Sequence, residues 1–161
     1  MTAPSGDEHR CPPADVACDA AEGQRFLRDH AVERALLART RFGPSIDPDS
    51  FLRMLSDRAI VRYPTAIRFD ATGLEPGEFA FAMPCGDHPS EGFALLVHPT
   101  FERRPHLWPL LAAYHLPSVN YGEIAGADDC EAFGAALFGL AVEAYYEILC
   151  AAADEVAPGA A

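Results

Sequence analysis

Four of the six histidines lie between residues 88 and 115, in HPSEGFALLVHPTFERRPHLWPLLAAYH. Imidazoles joined by a carboxylate form the donor set of zinc and iron sites. His88, His98, Glu102, His106 and His115 are therefore the candidate metal ligands, and Zn or Fe the metals they suit. Local chelation aims two side chains at one point, which needs a spacing of two on a strand or three to four on a helix. These histidines are ten, eight and nine residues apart, so only the fold can gather them. There is no HExxH and no ExxH pairing for a di-iron site. The competing reading is that each His caps a loop beside a nearby proline, or bonds a buried carbonyl.

Arg103 and Arg104 are the only cations after Arg68. Two guanidiniums side by side can grip a carboxylate or phosphate, which makes a small anionic ligand a candidate partner. Trp108, Tyr114 and Tyr121 would line the pocket, although aromatics at this density also build cores. Cys85, Asp87 and His88 have the types for nucleophilic catalysis. They lie within four residues, whereas catalytic sets are assembled from separate elements, so no catalytic residue is assigned. Glu143 and Glu147 stand one helical turn apart. As a pair they would raise one pKa, as a general acid requires. As a plain surface they would join Tyr146, Cys150 and Asp154 in one solvent stripe.

Composition removes several classes. All twelve basic residues are Arg, which excludes a lysine Schiff base and a Walker A loop. A net charge of −12 speaks against nucleic acid and against an anionic membrane surface. Nine Arg fall in residues 22–70, and residues 71–161 hold thirteen acids, so the two halves should pair. Five cysteines form no CxxC, their number is odd, and no apolar signal core opens the chain. A reduced, cytoplasmic protein is expected.

The elements that would position these residues read as one α+β domain over 22–156, between a disordered tail at 1–21 and a flexible tail at 157–161. Residues 22–41 and 47–59 read as two N-terminal helices, the second capped by Asp47 with Pro48 at its first position. Period-two runs follow, in AIRFD, FAFAM and FALLVH. With short loops between them, and Pro64 making the first an edge strand or a broken one, they imply an antiparallel meander of three to five strands. RRPHLWPLLAAYHLP is either a short helix opened by Pro109 or a strand, and SVNYGEI a further short strand, with Asn120 in a turn. Asp128 and Glu131 have the form of a capping box. From Cys130 to Ala153 runs a long buried helix, apolar almost all round and packed on the sheet. Glu143 and Glu147 within it argue against a membrane span. Cover on every side would come from the N-terminal helices and from a second copy, so a homodimer is expected. With no assembled catalytic set, the expected function is a small non-catalytic module that binds a partner protein or a small ligand. The alternative is a small metal-assisted or acid–base enzyme using the His/Glu set in 88–115.

Overall fold

A computed structural model describes residues 13–159. The architecture is α+β, with a three-stranded mixed sheet. Helix α1, Pro13–Phe42, starts nine residues before the expected residue 22, so residues 13–21 of the expected tail are helical. Residues 1–12 and 160–161 of the expected tails lie outside the described residues. Helix α2, Pro48–Met54, begins as its sequence implies: Asp47 Oδ1 accepts a 2.7 Å hydrogen bond from Ser50 N–H.

The strands are β1 (Thr65–Phe69), β2 (Ala80–Pro84) and β3 (Phe93–Val97), in the order β1-β3-β2. The meander is therefore corrected. Strands β2 and β3 do pair antiparallel, but β1 lies parallel to β3 on its other side. The connection from β1 to β2 must cross β3, and Gly73 is where it does so. A Cβ there would stand 2.5 Å from Leu96 Cδ1 of β3. The loop thus covers the outer sheet face, and Leu96 is buried although it points away from the helices. Pro64 does precede an edge strand, because a strand end without a donor is tolerated there.

The inner face carries Ile67, Phe69, Ala80, Ala82, Leu95 and Val97, all packed in or against the core. On β2 the small alanines face inward, and Phe81 is left exposed. Space above the alanines is filled by α3 (Trp108–Ala113) and α4 (Leu116–Tyr121), which make the main helical contacts to the sheet. SVN is the heart of α4, so the expected extra strand is absent; Pro117 sits in the first turn, where its missing N–H costs nothing.

The long C-terminal helix is also corrected. It is two helices, α5 (Ala127–Phe138) and α6 (Val142–Glu155), bent by 106°. Gly139 makes the break with φ 67° and ψ 33°, a left-handed conformation that favours glycine. Leu140 N–H donates back to Ala135 C=O at 2.9 Å, closing the helix end. The guanidinium of Arg39 lies against Gly139, placing a cation at the negative end of α5. The cap sits two residues earlier than expected and is half a box: Gly126 is the N-cap, with no side chain to give, and Asp129 Oδ2 accepts its N–H at 2.9 Å. Helix α1 lies along α5, which stands behind α3 and α4 instead of on the sheet. Tyr145 of α6 fills the bend. Its ring rests on Gly134, and its hydroxyl donates to Leu110 C=O at 2.7 Å. Among the described residues no single helix is long and apolar enough to cross a membrane.

Candidate functional site

The histidines are used locally. His88 and His98 each open a His-Pro-Ser/Thr turn of 3₁₀ helix, at Pro89–Glu91 and Pro99–Phe101. His88 Nδ1 accepts from Ser90 N–H at 3.3 Å, and Glu91 Oε2 accepts from His88 N–H at 3.0 Å. His98 Nδ1 accepts from Thr100 N–H at 3.2 Å. A ring that accepts at Nδ1 carries its proton on Nε2, the tautomer that serves a cap. His106 and Glu102 are exposed. His115 is packed between Tyr114, Phe79 and Phe81, with ring centroids 5.0, 6.0 and 6.4 Å away. Its burial lowers its pKa to about 4. Its Nε2 is buried without a hydrogen-bond partner among the described residues. The fold does not gather the set: no group of three or more His, Cys, Asp or Glu among the described residues is placed to hold a metal ion.

The expected ligand residues are likewise dispersed. Arg104 spends its guanidinium on Glu155, at 2.9 and 2.8 Å, tying the chain before α3 to the end of α6. Arg103 is exposed. Trp108 is core, with T-shaped contacts to Phe51 and Phe69 at 5.7 and 5.6 Å. Tyr121 lies under Arg34, and its hydroxyl is 2.6 Å from His30 Nδ1. Asn120 is not in a turn. Buried in α4, it accepts from Arg62 N–H and donates to Ile60 C=O, each at 2.8 Å, so it pins the chain before β1. Of the anticipated pairing between halves, Arg28 reaches Asp128 and Asp129 at 3.6 and 3.5 Å.

Tyr114 is different. It forms one wall of a groove of about 180 Å³ with Phe79, Glu131, Tyr146, Leu149 and Cys150. Phe79 leads into β2, and Tyr114 ends α3. Positions 146, 149, 150 and 153 of α6 all line the groove, the spacing of one helical face. Glu131 comes from α5. In an unbroken helix Glu131 and Cys150 would stand roughly 28 Å apart, at 1.5 Å per residue. The bend at Gly139 folds α6 back and puts them in one cavity.

The walls are apolar and aromatic, with a carboxylate among them. Burial raises the Glu131 pKa, and Asp128 adds to the rise. Burial pushes the Tyr114 hydroxyl up to about 12, with Cys130, Glu131 and Asp128 contributing in the same direction. The neighbours acting on both groups are all anionic or acidic, and no cation is among them. In other depressions the ionisable groups that make bonds make them to the fold. Beside Cys85, Glu91 holds the His88 N–H and Arg58 holds the Leu55 and Val61 carbonyls. Beside His106, Asp47 caps α2. Beside Phe26, His30 and Tyr121 bond each other.

Comparison with protein-family models, with curated proteins and with solved structures yields no match. The chemistry of the groove is therefore the guide to function.

Proposed function

We propose that this chain is a non-catalytic binding module, working in a reducing cytoplasm, that takes a small ligand in the groove between Phe79, Tyr114 and the bend of α5 and α6. One observation carries the reading: an aromatic and aliphatic cavity holds a carboxylate, Glu131, for which no ion pair is formed among the described residues. Apolar walls with a few convergent polar groups of perturbed pKa are the usual make-up of a ligand site. At about 180 Å³ the groove is below the 300–1,000 Å³ of drug-sized sites, so the ligand, or its buried part, is small. Free thiols at Cys85, Cys130 and Cys150 suit a reducing compartment. The enzyme alternative drew on the His/Glu set of 88–115, which is not brought together.

Ligand-observed NMR with a set of small fragments tests the proposal on the wild type and on Ala153→Trp, which fills the groove from α6. Fragments should bind the wild type and lose at least about tenfold in affinity to the variant. Fragments that bind both alike, or none that bind the wild type, would overturn it.

A further inference from the structure

The proposed groove has a sign as well as a shape. Three aromatic rings line it, Phe79, Tyr114 and Tyr146, and the face of an aromatic ring is its electron-rich side. Phe79 and Tyr114 already meet edge to face, with centroids 6.0 Å apart. Glu131 adds a carboxylate, and Asp128 lies near enough to raise its pKa. No arginine lines the groove, and Arg28 and Arg104 are paired with acids of this half: Arg28 with Asp128 and Asp129, Arg104 with Glu155. The chain as a whole carries −12, and its second half thirteen of the acids.

An anion entering this groove would face the Glu131 carboxylate with no cation among the lining residues, and a neutral apolar group would take water from that carboxylate without replacing it. A metal ion would lose water to aromatic carbons, which replace none of its oxygen ligands. A soft organic cation escapes each penalty. Its charge is spread over methyl or methylene groups that pack on aromatic faces, and it is attracted by both the rings and the carboxylate. The small volume fits a head group of that kind.

Building on the reading of the groove as a ligand site, we infer that its ligand class is a small organic ammonium ion, seated against Phe79, Tyr114 and Tyr146 with its charge facing Glu131. The partner is defined by charge complementarity, and it is opposite in sign to the anion that the Arg103–Arg104 pair implies from sequence.

Choline and 3,3-dimethyl-1-butanol have nearly the same shape, and only choline is charged, so they separate sign from shape. Both are titrated into the ¹⁵N-labelled full chain, wild type and Glu131→Gln, at constant ionic strength. Choline should shift the amides around Tyr114, Glu131 and Cys150, and bind about tenfold more tightly than the alcohol. Glu131→Gln should weaken choline about fivefold or more and leave the alcohol unchanged. The variant's own spectrum reports whether it is folded, and Tyr146→Leu, at an exposed position, gives a second variant that should weaken choline more than the alcohol. Equal binding of the two probes would overturn the ammonium inference and leave the groove as a ligand site. Choline shifts scattered over other acidic surface, or unaffected by Glu131→Gln, would overturn it too. No shift from choline at high millimolar concentration would overturn the ammonium inference, while the fragment screen decides separately whether the groove is a ligand site.

Discussion

His115 is neutral in the folded chain, because burial among three aromatic rings costs the imidazolium its hydration. Its folded pKa, about 4, lies below the ordinary 6.5. As pH falls through 6.5 the unfolded chain takes up the proton first, so stability is full above that point and is lost progressively towards pH 4. The shift corresponds to about 3 kcal/mol at its limit. Urea unfolding of His115→Phe should show a flatter pH dependence than the wild type between pH 6.5 and 4; parallel curves would contradict this. Asp47, Asp57 and Asp70 act in a lower window. Hydrogen bonds from Ser50, Arg41 and Thr72 hold their carboxyls below the usual 3.8, so their contribution fades only as pH drops past that value. Asn120 works through geometry instead of charge. Asn120→Ala should cost about 2–3 kcal/mol in chemical denaturation, because the Arg62 N–H and Ile60 C=O would both lose their partner. Sequence placed Asn120 in a turn because its contacts span 58 and 60 residues, which no local pattern records. The same blindness gathered the histidines into one candidate site, when the HPS and HPT triplets explain His88 and His98 by short-range capping.

At the scale of elements, the clearest signals were local and were read correctly. Asp47-Pro48 starts α2, the alternation of Ile67 and Phe69 marks a strand, and of the two outcomes Pro64 allowed, an edge or a break, the edge is found. What was not legible was pairing. A parallel β1 depends on a loop crossing β3 at Gly73, and strand period is the same in either direction. Reading Cys130–Ala153 as one helix passed over Gly139, although glycine is the commonest residue to end a helix in the left-handed conformation. Gly139→Ala should destabilise by about 1–2 kcal/mol, because alanine is strained at φ 67° and its methyl would press on Arg39. Gly134→Ala should cost about 1–3 kcal/mol, since a methyl there collides with the buried Tyr145 ring. Thermal or urea melts measure both, and wild-type stability in either would contradict the packing described at the bend.

Over the whole molecule, the bend is what connects fold to function. It takes Tyr146 and Cys150 of α6, read in sequence as part of a solvent stripe, together with Leu149, and sets them opposite Glu131 and Tyr114. Tyr114 is the one sequence-level ligand candidate that lines this groove. The case for a homodimer rested on an unbroken apolar helix needing cover on all sides. Instead α5 is covered by α1 on one side and by α3 and α4 on the other, so that argument lapses. The acidity of the second half, thirteen acids in residues 71–161, bears on the sign of the groove. The measurement that tests the central claim most directly is a crystal structure of the full chain soaked with choline. The account predicts density for a trimethylammonium group between Tyr114 and Tyr146, facing the Glu131 carboxylate. An open, accessible groove left empty at saturating choline, or choline bound only elsewhere, would contradict it.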